Sequence, residues 1–183
     1  MIEIRIHGRG GQGVVIASKV LAMAFFIGGK YVQSFPFFGA ERQGAPVAAF
    51  VRSDDKKIHL RCKIYNPDYI IVLDQNLPFE INLTEGLKKG GIIIISSTKE
   101  PGFYNISSDF KVFTVDAGSV ASKYRIGTKE LPIVNTAILG AFCRITNLVN
   151  IHSLKKAIKE FAPLKKKENA EAAIEIYNSI NNV

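Results

Sequence analysis

Cysteine is scarce in this chain of 183 residues, and tryptophan is absent. Its two cysteines, Cys62 and Cys143, are too few for a disulfide scaffold and indicate a reducing compartment. A [4Fe–4S] cluster normally needs four thiolates, so this chain cannot hold one by itself. We expect both thiols to be core or half-buried side chains rather than nucleophiles. The three histidines, His7, His59 and His152, form no ligand spacing, which argues against a metal site.

Long apolar runs are also lacking. The longest, around residues 20–27, is far shorter than the roughly 20 residues of a membrane span. The first residues alternate as a strand does and do not resemble a signal peptide. The length corresponds to one domain, residues 1–183. We therefore expect a single cytoplasmic domain with no membrane partner.

Negative charge is in deficit, since 24 lysines and arginines face 16 acidic residues, for a net charge of +8. Such an excess is typical of nucleic-acid-binding domains, whose affinity falls steeply with salt. No nucleic-acid motif accompanies it here, and much of it lies in Lys155-Lys156 and Lys165-Lys166-Lys167, near amphipathic helices. We expect no nucleic-acid partner. Acidic partner proteins, an anionic ligand or a solvated basic face explain the charge instead.

Strand and helix patterns alternate along the chain. The predicted strands are residues 2–7, 30–35, 47–52, 57–61, 69–74, 92–95 and 112–115, of which 47–52 and 57–61 are expected to form a hairpin. The predicted helices are residues 12–26, 133–146, 151–161 and 168–180. This order predicts an α/β fold, a single three-layer α/β/α domain with a mostly parallel, mixed sheet.

A glycine-rich turn, Gly8-Arg9-Gly10-Gly11-Gln12-Gly13, follows the first predicted strand and opens the first helix. Backbone N–H groups at such a position bind phosphates and other anions. The turn satisfies the dinucleotide fingerprint G-x-G-x-x-G, but the second strand ends in Gln33-Ser34-Phe35-Pro36, without the carboxylate that holds a ribose. Three interpretations stay open: a nicotinamide or flavin site, glycines that serve only a tight turn, and a site for another anion or a partner.

Residues 33–47 combine three phenylalanines with a Glu-Arg pair and two prolines. Side chains alternate along a strand, so Phe35, Phe37 and Phe38 cannot all point inward. Burying a phenylalanine is worth about 1.5–3 kcal/mol, and an exposed aromatic beside an arginine is therefore a candidate interface anchor. The residues predicted for this interface are Phe37, Phe38, Gly39, Glu41, Arg42, Gln43, Gly44 and Pro46.

Four segments, at consistent spacing over essentially the whole chain, resemble the gamma subunit of 2-oxoacid:ferredoxin oxidoreductases. They are residues 8–14, residues 38–47, Asn66-Pro67-Asp68 with the strand after it, and residues 131–142. The last helix, with Asn169 and Tyr177, is similar too. The Gly-Ala-Pro form of the second segment is most similar to the pyruvate branch of the family.

The resemblance implies a non-catalytic subunit of a complex that converts a 2-oxoacid, pyruvate in particular, to acyl-coenzyme A and reduces ferredoxin or flavodoxin. Thiamine diphosphate, Mg and [4Fe–4S] clusters would belong to the alpha, beta and delta subunits. Independently of the resemblance, the sequence has no Gly-Asp-Gly followed by Asn-Asn, the pattern that holds the thiamine diphosphate metal. The isolated chain is thus expected to bind no cofactor of its own and to be inactive.

The resemblance further implies that this subunit helps to form the coenzyme A site. The residues expected at that site or at the subunit interface are Gly8, Arg9, Gly10, Gly11, Gln12, Gly13, Arg42, Asn135 and Thr136. Asp74 and Asp116, at the ends of predicted strands, are either polar site residues or helix N-caps. The alternatives are a gamma subunit specific for 2-oxoglutarate or branched-chain oxoacids, and a free-standing NAD(P)- or flavin-binding oxidoreductase.

Overall fold

The computed structural model of the protein describes residues 1–37 and 44–180. Its strands are β1 (Ile2–Arg9), β2 (Tyr31–Phe37), β3 (Pro46–Asp54), β4 (Tyr69–Val72), β5 (Ile92–Ser96) and β6 (Lys111–Val115). Its α-helices are α1 (Val14–Ile27), α2 (Ala117–Lys123), α3 (Ile138–Thr146), α4 (Ile151–Phe161) and α5 (Lys166–Ser179). Two short 3-10 helices lie at Leu77–Phe79 and Pro101–Tyr104.

The six strands form one sheet in the order β2-β3-β1-β4-β5-β6. Strand β3 runs antiparallel to both of its neighbours, and β1, β4, β5 and β6 pair in parallel. Five strands therefore point one way and one points the other way. The predicted α/β fold with a mostly parallel, mixed sheet is confirmed.

The two faces of the sheet are covered differently. On one face, Ile4, Ile6, Ile71 and Ile94 share a core with residues from all five α-helices. On the other face, Ile70, Val72, Ile93 and Ile95 pack against a smaller cluster from residues 77–112, which includes Leu77, Leu83 and Tyr104. The apolar runs in β4 and β5 are explained by this double coverage. The first outer layer is made of the five α-helices, whereas the second is made of 3-10 helices and loops.

The C-terminal helices have the amphipathic pattern that the sequence predicts. In α4, Leu154, Ala157 and Ile158 are fully buried, whereas Lys155 and Lys156 are exposed on the opposite side. Spacing of three and four residues places the buried set on one face of the helix. No helix within residues 1–37 and 44–180 combines the length and the apolar character needed to cross a membrane.

The predicted hairpin between residues 47–52 and 57–61 is wrong. Strand β3 pairs with β2 and β1 instead, and residues 57–61 form no strand. The Gln33 side chain donates to the carbonyls of Ile58 and Leu60. The Arg52 side chain donates to the carbonyls of Cys62 and Lys63. Because side chains from the sheet satisfy these carbonyls, the segment needs no backbone ladder.

The expectations for the two cysteines have different outcomes. Cys62 lies on the irregular segment and is exposed, so the expectation that it is core or half-buried is wrong. Cys143 is buried in α3, as predicted, and burial raises the pKa of its thiol to about 12.

Helix α3 begins at Ile138 rather than at residue 133, because Asn135 Oδ1 accepts the N–H of Thr136 and forms a turn before it.

Candidate functional site

The glycine turn lies at the topological switch point of the sheet. It follows β1, from which the chain continues to β2 and β3 on one side, while β4 pairs with β1 on the other. Ligands of open α/β sheets bind at the carboxyl ends of strands where the connections diverge in this way. The turn and Asp74, two residues beyond β4, are next to each other at this point.

Gly13 fixes the turn against the segment before α3. Its φ of 78° is in the left-handed region, and it is the N-cap of α1. A Cβ atom on Gly13 would lie 2.2 Å from Asn135 Nδ2. That amide instead donates to the carbonyl of Gly13 over 3.3 Å. Glycine is required here both by the backbone conformation and by the close approach of a side chain.

Beside this contact lies a cavity of about 380 Å³, which we call the amide cleft. Its polar side chains are Asn135, Thr136 and Asn169, which are all buried. Thr136 Oγ1 donates to Asn169 Oδ1, and Asn169 Nδ2 donates to the carbonyls of Leu164 and Lys165. The remaining lining residues are Gly11, Gly13, Ile16, Ile126, Gly127, Ile133, Ala162, Pro163, Leu164 and Lys165. The structure thus brings Gly11, Gly13, Asn135 and Thr136 to one cavity with mainly apolar walls.

The N-terminus of α5 also borders the amide cleft. Lys165 is its N-cap, with a φ of 48°, and Lys166, Lys167 and Glu168 form the first turn. A helix N-terminus carries partial positive charge, so the three lysines there are electrostatically unfavourable, and the single carboxylate of Glu168 offsets this only in part. The sequence predicts these lysines only as contributors to the excess of positive charge. It does not predict Lys165 as a residue of the amide cleft. The signal was their position at a helix start, where acidic residues are preferred.

Arg9 points away from the amide cleft. Its Nε lies 3.0 Å from Asp74 Oδ2, and its two Nη atoms contact both carboxylate oxygens of Glu80. Gln12 joins this group, because its Oε1 accepts the N–H of Arg9 and its Nε2 donates to Asp74. We call Arg9, Gln12, Asp74 and Glu80 the Arg9 network. The charge of Arg9 is neutralised within the chain, and Glu80 is a partner that the sequence did not indicate.

The backbone N–H groups of the turn are only partly available. Gly10 donates to the carbonyl of Ala45, and Gln12 donates to the carbonyl of Arg9, each over 3.0 Å. Within the described residues, the N–H groups of Gly11 and Gly13 have no hydrogen-bond acceptor. Of the four N–H groups expected to border a ligand, these two are the ones that the described residues leave open.

The Arg9 network makes stability dependent on acidity. Burial raises the pKa of Asp74, but hydrogen bonds from Asn76, Gln12 and Arg9 more than offset this, and its pKa is lowered. The hydrogen bond from Arg9 lowers the pKa of Glu80. A carboxyl group with a lowered pKa contributes stability that is present above the pKa of the unfolded chain and is lost as pH falls through the folded pKa.

We therefore expect the free energy of unfolding to decrease as pH falls below about 4, the unfolded pKa of Asp and Glu. Arg9→Met should make this decrease shallower, because it removes the cation that holds both carboxylates ionised. Urea unfolding at pH 6 and at pH 3.5 measures the difference. Lys129→Met, at an exposed position, is the control and should leave the pH dependence unchanged. If the free energy of unfolding fell equally between pH 6 and pH 3.5 in Arg9→Met and in the unsubstituted chain, this account would be contradicted.

The predicted interface loop is partly described. Phe37 is 47% exposed, and its ring packs against Phe50 with 5.9 Å between the centroids. Gly44 donates to the carbonyl of Gly10, which joins the end of the loop to the glycine turn. Pro46 begins β3 opposite Arg9. The other predicted residues, Phe38, Gly39, Glu41, Arg42 and Gln43, lie outside the described residues.

The geometry does not suit a dinucleotide. In such sites the second strand of the chain lies parallel to the first and beside it, and it carries the ribose-binding acid at its carboxyl end. Here the antiparallel β3 lies between β1 and β2, so Pro46 lies beside the turn. Asp74, beyond the parallel neighbour β4, is already bonded to Arg9 and Gln12. In the described part of the chain, no group of three or more His, Cys, Asp or Glu side chains could hold a metal ion. Asp116 is the N-cap of α2 and accepts the N–H of Ser119.

The chain has an open α/β sheet with a glycine turn and an amide cleft at its switch point, which is the position where α/β domains with bound ligands hold them. A family model described as pyruvate ferredoxin/flavodoxin oxidoreductase matches residues 3–179, and the chain belongs to this family.

Three relatives show where in the family the similarity lies. The chain is 50% identical over 181 residues to the pyruvate synthase subunit PorC of Methanocaldococcus jannaschii, covering 98% of this chain and 97% of that one. It is 50% identical over 182 residues to the pyruvate/ketoisovalerate oxidoreductases common subunit gamma of Thermococcus kodakarensis, covering 97% and 96%. The crystal structure of the pyruvate oxidoreductase subunit PORC of Thermotoga maritima matches with a TM-score of 0.81 and 34% identity, covering 98% and 97%. The resemblance to the gamma subunit is confirmed.

Proposed function

We propose that this chain is the non-catalytic gamma subunit of a 2-oxoacid:ferredoxin oxidoreductase that acts on pyruvate in the cytoplasm. It helps to assemble the complex and to form the coenzyme A site at which oxidative decarboxylation yields acyl-coenzyme A. Thiamine diphosphate, Mg and [4Fe–4S] clusters are held by the alpha, beta and delta subunits, and ferredoxin or flavodoxin accepts the electrons. The isolated chain is inactive and contributes no catalytic residue.

The amide cleft is the observation that supports a coenzyme A site. Coenzyme A combines an apolar pantetheine arm with phosphates, and it supplies the thiol that accepts the acyl group. The cleft offers apolar walls from Ile16, Ile126 and Ile133 to the arm. For the phosphates it offers the N-terminus of α5 with Lys165 and the open N–H groups of Gly11 and Gly13. These residues bind and orient a ligand, and none of them is placed to carry out the reaction.

The choice of 2-oxoacid is assigned to the partner subunits. One relative with 50% identity is named as a gamma subunit common to pyruvate and ketoisovalerate oxidoreductases, so in that organism one gamma chain serves two substrates. A subunit that does not contact the oxoacid side chain can be shared in this way. A gamma subunit of a 2-oxoglutarate or branched-chain oxidoreductase is therefore the second candidate for this chain, and pyruvate is favoured by the similarity to pyruvate synthase subunits.

The test is affinity purification of the tagged chain from its native host under anaerobic conditions. Mass spectrometry identifies the co-purifying subunits, and dye reduction is assayed with coenzyme A and each of three oxoacids. Subunits that bind thiamine diphosphate and iron–sulfur clusters should co-purify with pyruvate-dependent activity. A chain that emerges alone, without activity in any fraction, would overturn the proposal. A preference for 2-oxoglutarate or 2-oxoisovalerate would replace pyruvate and leave the remainder in place.

Arg42 tests the predicted interface loop. Arg42→Ala should raise the KM for coenzyme A several-fold or more, or weaken assembly, because an unpaired interface charge costs roughly 2–5 kcal/mol. The purified complex is assayed by dye reduction over a range of coenzyme A concentrations. Lys155→Ala, on the exposed side of α4, is the control. Unaltered kinetics together with an intact complex would remove Arg42 from the site.

A further inference from the structure

The described residues cover the second face of the sheet only in part. Side chains of β2, β3 and β1 that point away from the α-helices line up across the sheet: Phe35 and Phe37 on β2, Ala48 and Phe50 on β3, and Arg5 and His7 on β1. The cluster that covers β4 and β5 on this face does not extend over them. Residues 62–65 cover only the end of this region near Arg52.

Between these two covering segments lies a cavity of about 280 Å³, which we call the sheet-face groove. Its floor is formed by Arg5, His7, Ala48 and Phe50. Its sides include Phe37 and Tyr65, which are 47% and 59% exposed. A sheet must bury its apolar face against another layer, and an exposed aromatic patch of this kind marks an interaction surface.

Buried polar atoms in the groove lack partners. His7 is 9% exposed, and its Nε2 is buried with no hydrogen-bond partner among the described residues. The same holds for Nε of Arg5, whose Nη2 donates to the carbonyls of Leu83 and Glu85. Burial and the neighbouring Arg5 lower the pKa of His7 to about 3, so its ring is neutral. The Nε–H of Arg5 is therefore a buried donor without an acceptor, and a carboxylate oxygen bound in the groove would supply one.

Positively charged side chains also outnumber negatively charged ones among the described residues that line the groove. Lys63 Nζ lies 5.3 Å from the ring centre of Phe37 and 4.9 Å from that of Tyr65. No carboxylate of the described residues forms an ion pair with it. Among the residues that the structure describes, Glu85 is the one acidic side chain that lines the groove, against the two cations Arg5 and Lys63. A carboxylate that enters the groove would therefore meet complementary charge and aromatic walls.

We infer that the sheet-face groove receives an aspartate or glutamate of another subunit of the complex, presented between apolar residues that pack on Phe37 and Tyr65. The size of the groove suits one or two side chains, which is the size of an interface anchor pocket. Phe37 and Pro46, two described residues of the predicted interface, both line the groove. This inference rests on the proposed function, since it needs a partner subunit.

Charge reversal in the reconstituted complex tests the electrostatic half of the inference. Lys63→Glu should weaken binding of this chain to its partner subunits by at least about tenfold, because like charges then face each other. Lys155→Glu makes the same charge change on the exposed side of α4 and should alter the dissociation constant less than about twofold. Equal effects of the two variants would overturn the inference, whereas failure of the unsubstituted chain to bind any subunit would overturn the proposed function instead.

Photo-crosslinking tests the identity of the occupant. A benzoylphenylalanine at Tyr65 should crosslink to a peptide of another subunit that contains Asp or Glu, whereas the same group at Phe26, an equally exposed position at the end of α1, should not give that peptide. Reversing the identified acid to Lys should restore binding of Lys63→Glu. A crosslink to a second copy of this chain, no crosslink within an intact complex, or loss of the crosslink on addition of coenzyme A would each overturn the inference.

Discussion

Arg52→Ala is expected to destabilise the folded chain by roughly 3–5 kcal/mol, the usual result of removing one partner of a buried ion pair. For a chain of this size that corresponds to a fall in Tm of about 6–20 °C. Arg52 is 1% exposed and is the largest fully buried side chain of the described residues. Its Nε donates to Glu3 Oε1 over 2.9 Å, and its Nη atoms donate to the carbonyls of Cys62 and Lys63.

The size of the effect follows from what the substitution leaves behind. Glu3 has a side chain that is only 14% exposed, and it would lose its cation. Two backbone carbonyls would lose their donors, and the volume of a large side chain would become a cavity. Because Arg52 links the sheet to residues 62 and 63, we also expect faster amide exchange across residues 58–65. Faster amide exchange confined to residues 58–65 would indicate local loosening, whereas faster exchange across the whole chain would indicate uniform destabilisation.

Lys30→Ala is the matched control for Arg52→Ala. Lys30 also forms an ion pair, with Asp55, but the two side chains are 39% and 80% exposed. Exposed pairs contribute about 0–1 kcal/mol, so this variant should change Tm little. Denaturant unfolding followed by circular dichroism measures both variants. If Arg52→Ala were no more destabilising than Lys30→Ala, the buried pair would not be what holds the irregular segment in place.

Arg52 also shows where sequence-based prediction fails for this fold. Residues 47–52 and 57–61 have alternating patterns around Asp54-Asp55, and a hairpin satisfies both patterns locally. Strand β3 instead pairs with β1 over its whole length, an arrangement between residues about 45 positions apart that no local pattern reveals. An arginine in a strand is typical of a solvent-exposed position, so the sequence does not predict that Arg52 is buried. Only the tertiary contacts with Glu3 and with residues 62 and 63 make it a core residue.

The parts that were predicted correctly depend on strong local signals. The apolar runs of β4 and β5, the glycine turn at Gly8–Gly13 and the three-and-four spacing of α4 each determine an element without help from distant residues. The boundary of α3 was misplaced by five residues, because Asn135 uses its side chain to form a turn before the helix. The same residue reaches Gly13, and that contact could not be derived from either segment alone.

The site was predictable to a similar degree. The sequence indicated the glycine turn together with Asn135 and Thr136, and the structure places Gly11, Gly13, Asn135 and Thr136 around the amide cleft. It did not indicate that Arg9 forms ion pairs with Asp74 and Glu80, because Glu80 lies 71 positions away and follows a 3-10 helix. It also did not place Lys165 at the cleft. Contacts of this kind depend on how layers pack, whereas the turn itself depends only on glycine and on a strand that precedes a helix.

The contact between Gly13 and Asn135 leads to the second large expected effect. Gly13→Ala should destabilise the chain by roughly 2–4 kcal/mol, which combines about 1 kcal/mol for a left-handed backbone with 1–3 kcal/mol for overpacking. The overlap at 2.2 Å involves the amide of Asn135, which could move away only by giving up its hydrogen bonds with the carbonyl of Gly13 and the N–H of Thr136. In the complex we expect the KM for coenzyme A to rise at least about tenfold, equivalent to about 1.4 kcal/mol, since the amide cleft is displaced.

Gly90→Ala separates the two contributions. Gly90 has a φ of 77°, almost that of Gly13, but an added Cβ would meet no atom within 4 Å, and the residue lies before β5, away from the cleft. This control should cost only the backbone term of about 1 kcal/mol and leave the KM for coenzyme A unchanged. Unfolding in denaturant gives the first quantity, and dye reduction by the reconstituted complex gives the second.

A double substitution then identifies the overlap itself as the cause. Asn135→Ala removes the amide that a Cβ on Gly13 would strike, so Gly13→Ala should cost less in the Asn135→Ala background than in the unsubstituted chain. Residues in contact show such coupling at about 0.5–3 kcal/mol. Stability should recover in part while the KM for coenzyme A stays high, because the double variant lacks a polar side chain of the cleft. Additive stability effects would mean that Asn135 does not limit the space beside Gly13, and recovery of the KM would remove Asn135 from the coenzyme A site.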